Sequence, residues 1–284
     1  MKLISLLDHL AATPASSAAT TRRALLQHLG QAAVAALPLS LGALPAAAST
    51  QDTALDAITQ LLLLERLQAT LYARALAATG LIPATLAADF QRLRTHQDQH
   101  VLLLQTALQS AGAVVPATPT FDFSGQHGVS TNPVLFPNVF SSFDDFLALA
   151  QQLEDLGVRL YKAHAFTITS DAQLLRAVLR IHAVEAQHSA HVRALRRSRG
   201  AVVQTWPTEE DAPIVRPAAA QVLTAAATGG EENSIQYVSA GVPVPFSTLL
   251  LINNNTAIHD PAQAEAFDEP VNTTTAQNAL NLFV

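Results

Sequence analysis

The chain has no cysteine. Disulfides, thiolate metal sites and thiol nucleophiles are therefore all excluded, and any metal must be held by carboxylate oxygen and imidazole nitrogen, a donor set that suits iron, manganese or zinc. Lysine is nearly as scarce: Lys2 and Lys162 are the only two, charged residues make up 13% of the chain, and the formal net charge is -6. Nucleic acid is thus not an expected partner, because the basic surface that would attract its phosphates is missing. Apolar side chains are plentiful, 49% over 284 residues, which is enough to build a full core in one large domain with appendages.

The first 48 residues read as an address rather than as structure. Thr21-Arg22-Arg23-Ala24-Leu25-Leu26 precedes an alanine-rich apolar run, Ala32 to Leu44, that ends in Ala46-Ala47-Ala48. This looks like a twin-arginine export signal cleaved after Ala48, which places the rest of the protein in the periplasm or outside the cell. Pro38, Gly42 and Pro45 interrupt the run and make it a poor membrane-spanning helix, so no stable membrane span is expected once the signal is removed. Lys2, Arg22 and Arg23 against Asp8 give this segment +2, leaving -8 on the remainder.

Four helical patterns follow in residues 49–200. The first runs from about Asp52 to Thr79 and stops at Gly80; the second runs from about Ala84 to Ala111 and is closed by Gly112, a residue suited to the left-handed position that ends helices. About thirty residues then carry Pro116, Pro119, Pro133 and Pro137 among Phe121, Phe123, Phe136 and Phe140. That stretch is too apolar for a solvated linker and suits the long crossover a bundle needs when its second and third helices run parallel. Ser142 with Asp145 resembles a capping box opening the third helix, which continues to about Phe166, and Ser170 is the expected cap of a fourth helix ending at Gly200. Residues 201–284 turn to Pro, Gly, Asn and Thr, a mostly irregular extension packed on the bundle, with short helical turns expected near Ala218 to Ala226 and Thr275 to Phe283.

The bundle repeats itself with its polar residues in register. Helix one contains Glu65-Arg66-Leu67-Gln68-Ala69-Thr70-Leu71-Tyr72 and helix three contains Glu154-Asp155-Leu156-Gly157-Val158-Arg159-Leu160-Tyr161. Helix two contains Gln97-Asp98-Gln99-His100 and helix four contains Glu185-Ala186-Gln187-His188. The halves are offset by 89 residues for glutamates 65 and 154 and tyrosines 72 and 161, and by 88 for histidines 100 and 188. Spacings of three, four and seven put these residues on the apolar face of each helix. On helix four, for example, Glu185 and His188 interrupt the row Leu174, Val178, Ile181, Val192, Leu195. Three buried carboxylates without compensation would each cost several kcal/mol, and a divalent cation removes that cost.

These motifs resemble the ferritin-like superfamily, whose two-metal members draw a Glu from each of two helices and a Glu-x-x-His pair from each of the other two. The Leu-Glu-Asp-x-Gly-x-x-x-Tyr run at 153–161 and the Glu-x-x-His at 185–188 are most similar to bacterial exported ferritin-like proteins related to plant desiccation-related proteins. The resemblance spans about Asp52 to Gly200. It implies an all-α four-helix bundle with metal ligands Glu65, His100, Glu154, Glu185 and His188, and one or two divalent ions, iron or manganese ahead of zinc. Gln97 stands where that family has a glutamate, and a neutral amide is a weak ligand or none. Tyr72 and Tyr161 are expected beside the ligands, as hydrogen-bonded core residues or as neighbours that tune the metal. His96 and Asp98 flank Gln97 but are turned from its direction by a helical step of about 100 degrees. His164, His182 and His191 are expected outside the ligand set. Neither a catalytic residue nor an organic-cofactor site is assigned. Two functions are implied: redox chemistry with oxygen or peroxide, or a non-catalytic protective role in stress or desiccation with a single-ion or degraded site. A homodimer is compatible with either, and the irregular tail argues against a large storage cage.

Overall fold

Helix α1 (Thr50–Ala77) buries Ile58, Leu61, Leu62, Leu64, Leu67 and Leu71, and α2 (Ala87–Ser110) buries Phe90, Leu93, Gln97, His100, Leu104 and Leu108. The α2 set steps by three and four, one narrow stripe facing the core while the opposite face meets solvent. These elements belong to a computed structural model that describes residues 50–168, 171–208, 210–228, 236–239, 242–245 and 270–284. The export signal expected over residues 1–48 lies outside the described residues.

Left-handed glycines stop the helices where expected, with φ of 76° at Gly80, 74° at Gly112 and 97° at Gly200. Helix α3 (Phe143–Ala165) opens on Ser142, whose hydroxyl accepts the Asp145 N–H at 3.3 Å, and carries Asp144 and Asp145 in its first turn and Lys162 in its last, charges favourable to the helix dipole. Helix α4 (Ala172–Ser198) differs from expectation at its start. Its cap is Asp171, whose carboxylate accepts the N–H groups of Gln173 and Leu174 at 2.8 and 3.0 Å, rather than Ser170. Aspartate and serine are equally good caps, so residue type alone did not choose between these neighbours.

Helix α1 packs against α2 and α3, and α3 against α4. The Tyr72 hydroxyl reaches Glu154 while the Tyr161 hydroxyl reaches Glu65, a crossed pairing that requires α1 and α3 to run antiparallel. Because a short turn joins α1 to an antiparallel α2, helices α2 and α3 run parallel, and the chain between them must travel the length of the bundle. It does so through residues 111–142, which bury Phe121, Phe123, Leu135, Phe136 and Val139 as part of the core.

Helix α3 is buried nearly all round, because the chain beyond residue 200 covers the side that the bundle leaves open. A 3-10 turn at Ala218–Ala220 leads into α5 (Gln221–Thr228), and α6 (Thr273–Leu280) ends in a second 3-10 turn, Asn281–Phe283; both short helices touch α3. Arg159 of α3 donates to the carbonyls of Ala225 and Ala226 at the end of α5, and the Phe283 ring stacks on Phe136 of the crossover at 4.8 Å. The fully buried Arg193 of α4 is held by Asp155 of α3 at 2.7 Å and by Asp211 at 2.5 Å, a link between the bundle and the segment after it. A two-stranded antiparallel hairpin pairs Gln236–Ser239 with Val242–Pro245.

Candidate metal centre

The middle of the bundle is where each helix brings one polar turn to the apolar interior. Glu65, Gln97, Glu154 and Glu185 are fully buried, and His100 and His188 are 8% and 3% exposed. The His100 Nδ1 lies 3.2 Å from Glu65 Oε2 and 3.4 Å from Glu185 Oε1; the His188 Nδ1 lies 3.4 Å from both Glu154 Oε2 and Glu185 Oε1. Glu65, His100 and Glu185 thus form one triplet of donors and Glu154, Glu185 and His188 a second, with Glu185 common to both. Around a first-row ion bound at about 2.1 Å, neighbouring ligands stand roughly 3.0–3.4 Å apart, so both triplets have the spacing of a coordination sphere.

Three further side chains and one glycine set the orientation of these donors. Tyr72 donates to Glu154 Oε1 and Tyr161 to Glu65 Oε1, each at 2.5 Å, so each glutamate has one oxygen engaged and the other turned inward. Gln68 donates to Glu185 Oε2 at 3.0 Å. Gly157 faces the same oxygen from α3, where a Cβ would come within 2.5 Å of it. A glycine inside a helix is unfavourable by up to about 1 kcal/mol, and here it makes room for the shared carboxylate.

His96, expected to be turned from the Gln97 direction, has its Nδ1 3.0 Å from His188 Nε2 with the rings stacked, so it engages the side of His188 that points out of the cluster. The available signal was its spacing of four from His100, which puts both imidazoles on neighbouring faces. Gln68 and Gly157 occupy equivalent places in the repeat, so the break in symmetry at 68 and 157 was the signal for both. His182 Nδ1 donates to the Val158 carbonyl at 3.0 Å and His164 Nε2 donates to Gln60 Oε1 at 2.7 Å; neither joins the cluster.

Burial, followed by the Glu185 charge, pushes Glu65 up to about 7 and Glu154 up to about 8. Burial opposes ionisation of Glu185 too, but the His100 and His188 imidazoles, each 3.4 Å from its Oε1, hold it well below the ordinary carboxylate range. The two histidines are driven down by burial and more than restored by their carboxylate partners, reaching about 10. An ion-free cluster therefore holds protons where a cation would sit. That arrangement leaves two atoms unserved: Glu154 Oε2 and His188 Nδ1 are buried with no hydrogen-bond partner, although they face each other at 3.4 Å. Orphaned buried polar atoms are rare and costly, and an inward-facing carboxylate oxygen and imidazole nitrogen left without a hydrogen bond fit a shared cation. A divalent cation held there would supply Lewis acidity. The chain supplies oriented carboxylates, an imidazole whose outer nitrogen is held by His96, and a nearly dry interior.

A buried carboxylate and histidine cluster at the centre of a four-helix bundle with a long crossover between its second and third helices defines a class, the ferritin-like bundles. The model of the family described as ferritin-like domain matches residues 53–198, and the chain belongs to that family. A comparison with curated proteins finds no match.

Proposed function

We propose that the protein holds a divalent first-row metal, iron or manganese, in this cluster and uses it for redox chemistry with oxygen or peroxide outside the cytoplasm. The observation that carries the reading is the pair of donor atoms Glu154 Oε2 and His188 Nδ1, which lie 3.4 Å apart in the buried cluster with no hydrogen bond. Elemental analysis of purified protein tests it directly. Wild type should retain iron or manganese through dialysis, Glu154→Ala and His188→Ala should lose it, and ferrous ion added to apo protein should drive oxygen consumption. Absence of bound iron, manganese and zinc after refolding with each would sink the proposal. Export is part of it, on the strength of the Arg22-Arg23 motif and the alanine-ending apolar run. Residues 1–48 fused to a reporter should direct it out of the cytoplasm, and replacing both arginines with lysine should retain it inside.

A second reading rests on Gln97, which leaves three carboxylates where the family pattern has four. In it the metal is structural and the protein acts without turnover in stress or desiccation. It predicts a metal-dependent rise in Tm with no oxygen consumption on adding ferrous ion.

A further inference from the structure

We propose that the cluster holds a single ion, placed between Glu154, Glu185 and His188, and that Gln97 fills the other half of the site with its own carboxamide. This rests on the metal-binding reading above and specifies where in the cluster the metal sits.

The two halves share the same fold but differ in how their donors are satisfied. In the α1–α2 half, the end of the Gln97 amide lies 2.8 Å from Glu65 Oε2, 3.0 Å from His100 Nδ1 and 3.3 Å from Glu185 Oε1, which are the three donor atoms of that triplet. Two of these neighbours are carboxylate oxygens, so the amide nitrogen, the only end able to donate, is the one that faces them. Its N–H groups put hydrogens among the three donor atoms, in the position an ion would need. The amide is tethered to α2 and fully buried, so it does not exchange with solvent as a bound cation would.

In the α3–α4 half nothing plays that part. Glu154 Oε2 and His188 Nδ1 have no partner, and Gln97 approaches Glu154 only at its other oxygen, which Tyr72 already serves. Charge points the same way. Glu154 and Glu185 carry two negative charges and His188 binds as a neutral ring, so one divalent ion closes the balance at zero. Two ions would face only three carboxylates. Gln68 and Gly157 add the last element, because they hold Glu185 Oε2 outward and leave Oε1 as the atom facing the ion.

Full-length protein stripped of metal and reloaded with Mn(II) tests the assignment. Wild type should bind one ion per chain and give the EPR spectrum of an isolated Mn(II), and crystals should show one anomalous peak beside His188. Glu65→Gln should keep the ion, Glu154→Gln should lose it, and Gln97→Glu should bind two ions, with the magnetic coupling expected of ions about 3.5–4 Å apart. The assignment is overturned by a coupled pair in wild type, by loss of the ion in Glu65→Gln with retention in Glu154→Gln, or by a folded Gln97→Glu that still binds one. A wild-type chain that binds no ion under any loading condition overturns the metal-binding reading itself. The wild-type spectrum and anomalous map decide the matter even if a variant fails to fold.

Discussion

Replacing Gly157 with alanine separates the architecture of the site from the stability of the bundle. The new methyl would stand 2.5 Å from Glu185 Oε2 and 3.3 Å from Gln68 Nε2. Ordinary contact begins near 3.4 Å, so the carboxylate must retreat by roughly 0.9 Å along that line or the helices must part. The carboxylate has little freedom to do so, because Gln68, His100 and His188 all approach it within 3.4 Å. Two stability effects oppose one another: alanine in a helix interior gains about 1 kcal/mol over glycine, while overpacking a well-filled interior costs about 1–3 kcal/mol. The net is a loss of about 0–2 kcal/mol, or at most about 8 °C in Tm for a domain of this size. Metal affinity has no such compensation. Displacing the shared ligand by nearly an ångström is a larger disturbance than losing an outer-shell partner, which alone weakens affinity 10–100-fold. Calorimetry of the apo form together with Mn(II) titration should thus show a small stability change and a fall in affinity of at least tenfold. Wild-type affinity in a folded Gly157→Ala would refute the role assigned to the glycine and to the placement of Glu185.

Tyr72→Phe should weaken Mn(II) binding more than Tyr161→Phe, since Tyr72 orients Glu154 and Tyr161 orients Glu65; equal losses in paired titrations would count against an ion in the α3–α4 half. Arg193→Met leaves Asp155 buried without its cation, which should cost about 3–5 kcal/mol and open residues 201–216 to limited proteolysis, read by melting temperature and mass-mapped cleavage. The apo protein should lose stability as pH rises. Glu65 and Glu154 have folded values near 7 and 8, above their unfolded values, and therefore favour the protonated fold. Their contribution is present below about 4.5 and lost as pH passes 7 to 8, while the raised His100 and His188 lose theirs as pH rises from about 6.5 through 10. Metal reverses the trend, because an ion replaces those protons: Mn(II) affinity should climb between pH 6 and 8, with proton release visible when calorimetry is repeated in buffers of different ionisation enthalpy. A flat affinity over that range would contradict the proton-filled apo site. Asp171→Ala removes two N-terminal hydrogen bonds of α4 and should cost about 1 kcal/mol in a denaturation curve.

Much of the fold was legible because helical periodicity and termination are local. The burial of Phe90, Leu93, Gln97, His100 and Leu104 along one stripe follows from their spacing, and the terminators Gly80, Gly112 and Gly200 follow from a left-handed conformation that glycine adopts without strain. The start of α4 was legible only to within a residue, since Ser170 and Asp171 are both good caps and the choice depends on where the preceding chain lets the backbone turn. The crossover could be expected from its length and phenylalanines, but the stacking of Phe283 on Phe136, between residues 147 positions apart, could not.

For the metal centre, the sequence by itself determined which residues share a face. The internal repeat assembles Glu65, Gln97, His100, Glu154, Glu185 and His188 because turns of a helix are rigid and their spacing is arithmetic. Only the tertiary structure decided what each of those atoms meets. Whether a carboxylate oxygen is served by Tyr72 or left facing His188, whether Gly157 is a packing accident or room for Glu185, and whether the Gln97 amide stands aside or lies among three donors are matters of a few tenths of an ångström between helices. Those separations depend on the crossing and register of four helices at once, which no local pattern encodes.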